Sequence, residues 1–137
     1  MAQRTRWVPT RKRVTHLWLR RLSAEHHHAL VLARRAPGET PGWLRERFDR
    51  ELAPHFDVEE RLLLPALGDD PLAARTLADH RALREEVAAA ERGDPGAPAR
   101  FAGRLVAHVR FEERELFPRC EEILPAEVLD AVAAMHG

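Results

Sequence analysis

Apolar residues recur three, four and seven positions apart through four long stretches of the chain, with charged residues between them. This spacing places the apolar side chains on one face of a helix, and no stretch shows the residue-by-residue alternation of a half-buried strand. Turn-forming residues separate the stretches, and the pairs Thr40-Pro41 and Asp70-Pro71 are typical of the start of a helix. The pattern predicts helices from residue 14 or 17 to 36, over 41–67, 71–92 and 99–122, and a short amphipathic helix over 126–135.

Short loops between long helices make sequential helices antiparallel neighbours. The predicted fold class is therefore all-α, an up-down antiparallel four-helix bundle with a short C-terminal helix. We expect a basic N-terminal arm at residues 1–16, the bundle at residues 17–124, and a helix packed on the bundle at residues 125–137. The length of 137 residues suits a single domain with helices of about 20 residues.

The amino-acid composition excludes several classes of protein. The 22 Lys and Arg residues balance 22 Asp and Glu residues, so the net charge indicates neither a nucleic-acid nor a membrane partner. No apolar run approaches the ~18 residues of a membrane-spanning helix. The single cysteine, Cys120, excludes a disulfide framework, and the basic N-terminus lacks the apolar core of a signal peptide. We expect a cytoplasmic protein.

One motif occurs twice in the chain, at residues 55–65 and again at residues 108–118. The two copies agree at the first His, at Glu-Glu-Arg four to six residues later, at Leu eight residues later and at Pro ten residues later. Each copy also has an upstream His, at His26 and His80, at nearly the same distance. Residues 26–65 and 80–118 are therefore predicted to form two helical hairpins of one design.

The repeated spacing favours a metal site. His55 with Glu59, and His108 with Glu112, lie four residues apart and so share a helix face. A lone pair of this kind is usually a surface hydrogen bond, but all six residues, including His26 and His80, fall in apolar stripes. Burial of carboxylates without a counter-charge costs several kcal/mol, which bound cations would remove. The stripes consist of Leu19, Leu22, Ala29, Leu30 and Ala33 around His26, Phe48, Leu52, Leu62, Leu63 and Ala66 around His55, Ala73, Leu77, Leu83 and Val87 around His80, and Phe101, Leu105, Phe111 and Leu116 around His108.

The first helix offers three consecutive histidines, and only one shares the apolar stripe. His27 lies about 100° from His26 around the helix, and His28 lies on the opposite side among arginines. His26 is the predicted ligand, and His27 replaces it if the helix is rotated. Glu115, at the edge of the stripe, is either an outer partner of the site or a surface residue.

The duplicated pattern over residues 18–124 resembles the hemerythrin-like, or HHE cation-binding, family. The resemblance implies a four-helix bundle around a non-haem di-iron centre, with two iron ions and a bridging oxo or hydroxo group. The oxygen-carrying members have a fifth His, for which this chain offers no candidate, so the sequence is closer to the four-His, two-Glu branch of sensors and repair proteins. The ligands that the resemblance implies are His26, His55, Glu59, His80, His108 and Glu112.

The expected function follows from that resemblance. We expect a di-iron protein that binds and reacts with dioxygen, peroxide or nitric oxide, as a sensor, a scavenger or an iron-centre repair factor. The alternative is an iron-responsive interaction module without redox turnover. A sensor of this size would need a protein partner to pass on its signal. Glu60 and Glu113 point away from the expected centre and are predicted to pair with nearby arginines, while Cys120 is expected to be a packing residue.

Overall fold

The computed structural model describes residues 24–136. In that part of the chain all regular secondary structure is helical, and there is no strand. The predicted all-α class is confirmed. The predicted N-terminal arm, residues 1–16, and the start of the first helix lie outside the described residues. The helices are α1 (24–35, followed by a 3-10 turn at Ala36–Gly38), α2 (41–67), α3 (Pro71–Glu91), α4 (97–123) and α5 (Ala126–His136).

The helix starts follow the signals in the sequence. The side chain of Thr40 accepts a hydrogen bond from the Trp43 N–H at 3.1 Å, and Asp70 accepts one from the Leu72 N–H at 2.9 Å. Such caps satisfy backbone donors that the first turn leaves unpaired and contribute about 1 kcal/mol each. Helix α4 begins at Ala97, two residues earlier than predicted.

Three π-helical turns interrupt α2 and α4, and one residue separates the end of each turn from a proline. The residue before the proline donates its N–H to the carbonyl five residues back, as Ala53 does to Phe48 before Pro54. Proline has no N–H, and its ring clashes with the carbonyl four residues back, so a wider turn accommodates it without breaking the helix. Pro54 lies within α2 and is accommodated in this way. The three turns are Phe48–Leu52, Glu59–Leu63 and Glu112–Leu116.

The π turns also correct the predicted apolar stripe. Leu62 is 37% exposed and Ala66 is exposed, although regular α-helical spacing from His55 placed both in the core. The turn at Glu59–Leu63 adds about one residue to the helical repeat, so Leu67 is buried in place of these two, while Leu63 is buried as predicted. Leu30 and Leu77 are also exposed, because they lie at the edges of their stripes.

The core consists of two apolar clusters that succeed each other along the bundle. The first is built around Phe48, Phe56 and Phe101, and the second includes Leu129 and Val132 of α5. Along α2 and α4, the predicted metal ligands occur where the first cluster gives way to the second. Among the described residues, no helix combines the length and apolar character needed to cross a membrane.

Candidate metal centre

All six predicted ligands converge on one buried site, and none of them is more than 5% exposed. His26 comes from α1 and His80 from α3, whereas α2 and α4 each supply a His and a Glu one turn apart. His27 and His28 are exposed. The rotated alternative for the first helix is therefore wrong, because His26 and not His27 faces the core.

Each buried carboxylate spans two histidines that belong to different hairpins. Oε2 of Glu59 lies 3.1 Å from Nε2 of His55, and Oε1 lies 3.0 Å from Nε2 of His80. Oε1 of Glu112 lies 2.9 Å from Nε2 of His26, and Oε2 lies 3.2 Å from Nε2 of His108. Both carboxylates thus join the two halves of the site.

The donor atoms form two groups. Glu59, His80, His108 and Glu112 each offer an atom within 4.8 Å of the others, and Glu112 does the same with His26 and His55. One group draws its histidines from α1 and α2, and the other draws them from α3 and α4. Glu112 belongs to both groups, and Glu59 reaches from its own group to His55 of the other, so the cluster fits a metal-binding site.

Several of these atoms lie close to one another but lack the geometry of a hydrogen bond. They are both carboxylate oxygens of Glu59, Oε2 of Glu112, and Nε2 of His80 and of His108. A buried polar atom without a hydrogen bond costs about 1–3 kcal/mol, and more when it is charged. Five such atoms facing one small volume are expected where cations are bound. Imidazole and carboxylate donors together suit iron, manganese and zinc.

In each of the four histidines of the site, the second ring nitrogen, Nδ1, faces a carboxylate that is not among the predicted ligands. An ionised carboxylate can only accept a hydrogen bond, so the Nδ1–H of each of these histidines donates, and Nε2 is the atom that would present a lone pair to a bound cation. The Nδ1-to-oxygen distances are 3.1 Å for His26 and Glu113, 3.3 Å for His55 and Glu25, 2.6 Å for His80 and Glu60, and 2.9 Å for His108 and Asp79.

These outer carboxylates were missed in the sequence. Glu60 does contact Arg84, as predicted, but it also reaches His80, and Glu113 reaches His26. A usable signal was present, because each outer carboxylate is adjacent in sequence to a predicted ligand and recurs at the same place in both copies. Glu115, by contrast, is exposed and is a surface residue.

Charges in the metal-free site compensate one another. Burial alone would lower the pKa of His108, but Glu112 and Asp79 outweigh it and raise this pKa to about 10. The pKa values of His26 and His55 are also raised against the effect of burial. Burial would raise the pKa of Glu112, but the facing histidines hold it well below its usual value. Protons on the histidines therefore provide the positive charge that cations would otherwise supply.

The metal-free protein should lose stability between about pH 6.5 and pH 10. The raised pKa values of His26, His55 and His108 mean that their stabilising contribution is complete below about pH 6.5 and is lost as the pH rises through the folded-state values. The contribution of Glu112, whose pKa is lowered, is present above about pH 4.5 and is lost only in stronger acid. Thermal unfolding of chelator-treated protein from pH 5 to pH 10 measures this. A melting temperature that stays level or rises above pH 6.5 would contradict it.

Comparison with known proteins gives one match. The model of the hemerythrin HHE cation-binding domain matches residues 13–120, well over half of the chain, and this range contains all six converging residues. No curated protein and no solved structure matched the chain.

Proposed function

The chain belongs to the hemerythrin HHE cation-binding family, and from that premise we propose that it is a non-haem di-iron protein that binds and reacts with dioxygen, peroxide or nitric oxide. Its role would be that of a sensor, a scavenger or an iron-centre repair factor in the cytoplasm. The observation that supports this most strongly is the pair of buried carboxylates, each spanning histidines from both hairpins.

The proposed ligands divide evenly between two iron ions. His26 and His55 would hold one ion, His80 and His108 the other, and Glu59 and Glu112 would contribute one oxygen to each. Four protein donors per ion leave coordination positions for a small ligand, as reactive metal sites require. Bound iron would supply redox and Lewis-acid chemistry at this place. The protein orients the Nε2 lone pairs, balances the charge and excludes bulk water.

Access to the centre favours very small ligands. A cavity of about 10 Å³ adjoins His26, His55 and Glu112, and its other walls include the apolar side chains of Leu52 and Phe56. This volume holds about one water molecule. A larger surface pocket of about 310 Å³ shares Glu25, Ala29, Glu51 and Leu52 with this cavity, so small ligands would enter from this side. Diatomic ligands and peroxide match this space, whereas larger organic substrates do not.

The visible spectrum of the iron-loaded protein tests the proposal. Protein purified without air should change its spectrum on exposure to air, peroxide or nitric oxide, and dithionite should reverse the oxidation. Azide should also perturb the spectrum. We expect no oxygen complex that forms in air, lasts for hours and reverses under vacuum, because the fifth His of the oxygen carriers has no counterpart here. A long-lived reversible complex would place the protein among the carriers.

A second function remains compatible with the same site, and the burial of the ligands favours it specifically. Metal loading neutralises carboxylates at the centre of the bundle, so folding and metal binding are coupled. An iron-responsive interaction module would use that coupling to expose or order a surface for a protein partner. A spectrum unaffected by air, peroxide and reductant, together with an iron-dependent change in protease resistance, would support this function and contradict the first.

A further inference from the structure

Four carboxylates that are not predicted ligands form a closed ring around the centre. We call Glu25, Glu60, Asp79 and Glu113 the outer ring. Each member belongs to one helix and contacts the histidine of the next helix, so the ring passes through all four helices of the bundle. The contacts run from Glu25 of α1 to His55 of α2, from Glu60 of α2 to His80 of α3, from Asp79 of α3 to His108 of α4, and from Glu113 of α4 to His26 of α1.

The ring arises from sequence adjacency. Asp79 precedes His80, and Glu60 follows Glu59, so one short piece of backbone presents a ligand to the centre and a carboxylate to the neighbouring helix. Glu25 precedes His26 and Glu113 follows Glu112 in the same way, so each of the two positions occurs once in each hairpin. The orientation of every ligand histidine is therefore fixed by the helix that precedes it in the ring.

Charge on the outer ring affects the electronic properties of the histidines. An anionic acceptor at Nδ1–H makes the imidazole a stronger donor at Nε2, and stronger donation favours the more oxidised state of a bound metal. Glu60 contacts Arg84 as well as His80, and Asp79 contacts Arg75 as well as His108, so both carboxylates lie between a ligand histidine and an arginine.

The carboxylates of the outer ring differ in the cations that lie near them. Arg84 lies 3.1 Å from Glu60, and Arg75 lies 3.5 Å from Asp79, so arginines share the negative charge beside His80 and His108. Glu113 is 52% exposed in its side chain, and among the described residues no arginine or lysine lies within 4.0 Å of it. Solvent rather than a fixed cation therefore screens Glu113.

We propose that the outer ring consists of positioning residues that fix the tautomer of the four ligand histidines and hold the reduction potential of the metal pair low, and that Arg84 limits the contribution of Glu60. This inference rests on the proposed function, because it concerns the metal pair itself. Removal of negative charge from the ring should raise the midpoint potential, whereas removal of Arg84 should lower it.

The experiment compares four variants with wild-type protein. Glu60→Gln and Glu113→Gln keep an acceptor for Nδ1–H but remove the charge, Glu113→Ala removes both, and Arg84→Gln removes the cation beside Glu60. Glu46→Gln is the matched control, because Glu46 is exposed and its contact with Arg50 is 3.9 Å long. The readouts are iron affinity by competition with a chelator, midpoint potential by spectroelectrochemistry, and histidine tautomers by nitrogen NMR of zinc-loaded protein.

The expected results separate charge from positioning. Both Gln variants should raise the midpoint potential while their histidines keep Nδ1–H, and Arg84→Gln should lower it. Glu113→Ala should also weaken iron binding by about 10–100-fold, the usual range for outer partners of metal ligands. Glu46→Gln should match the wild type. Potentials that do not move in either Gln variant would overturn the electronic role, and unchanged iron affinity and His26 tautomer in Glu113→Ala would overturn the positioning role.

Failure of this inference is distinguishable from failure of the proposed function. Wild-type protein that takes up no pair of iron ions contradicts the proposed function. Wild-type protein that holds the pair, with affinity, tautomers and potential insensitive to all four substitutions, contradicts only the role of the outer ring.

Discussion

Removal of metal should lower the melting temperature of this protein by about 20 °C at pH 8. A ligand that binds only the folded state stabilises it by about 4 kcal/mol when its free concentration is 1,000 times its Kd, so two sites contribute about 8 kcal/mol. For a domain of this length, each kcal/mol shifts the melting temperature by about 3 °C. The donor atoms of Glu59, His80, His108 and Glu112 come together only when the helices are assembled, so only the folded state offers such sites. Thermal unfolding followed by circular dichroism, with and without a chelator, measures the shift.

The choice of pH and the reloading step provide the controls. At pH 6 the shift should be smaller, because protons on His26, His55 and His108 partly replace the metal ions. Addition of iron to the stripped protein should restore the original melting temperature. If chelator-treated and iron-loaded protein melt within about 2 °C of each other at pH 8, the buried cluster does not bind metal at working concentrations.

The substitution Glu112→Gln should remove both metal ions, a larger effect than loss of any one histidine. Glu112 contacts His26 with one oxygen and His108 with the other, so it contributes to both halves of the site. Gln has nearly the same volume and should preserve packing, but its neutral amide replaces a charged donor at each ion. A loss of about 3 kcal/mol per charged contact corresponds to an affinity at least about 100-fold weaker at each half. Metal content after dialysis, measured by elemental analysis, is the readout.

Glu115→Gln is the matched control for this substitution. Glu115 lies on the same helix three residues further on, but it is exposed and should tolerate the same change with full metal content. Circular dichroism should show equal helicity for both variants. Retention of one ion at wild-type affinity in Glu112→Gln would mean that Glu112 serves only one ion, and the shared-carboxylate arrangement would be wrong.

The six predicted ligands could be found in the sequence because the geometry of a single helix determines which of its residues share a face. Four residues along a helix return a side chain to the same face, so His55 with Glu59 and His108 with Glu112 had to converge once both copies were recognised as helical. The same argument placed His26, rather than His27, toward the core. The repetition of the motif then indicated that two similar hairpins contribute to one site, and this inference required no distances between helices.

Features that depend on contacts between helices could not be predicted in this way. The π turn after Glu59 responds to Pro65, and it rotates Leu62 and Ala66 out of the core, which a constant 100° step per residue does not anticipate. The outer carboxylates depend on how closely neighbouring helices approach. From the sequence alone, Asp79 has the features of a surface residue on α3. Its role depends on the packing of α4, which places His108 2.9 Å from it.

The number of metal ions per chain tests the central claim most directly. Protein expressed in iron-replete cells, purified without chelators and analysed for metal and for protein concentration should contain two iron ions per chain. That result follows from two donor groups that share Glu112, with Glu59 reaching from one group to His55 of the other. One ion per chain at full occupancy, or zinc in place of iron, would contradict the di-iron assignment.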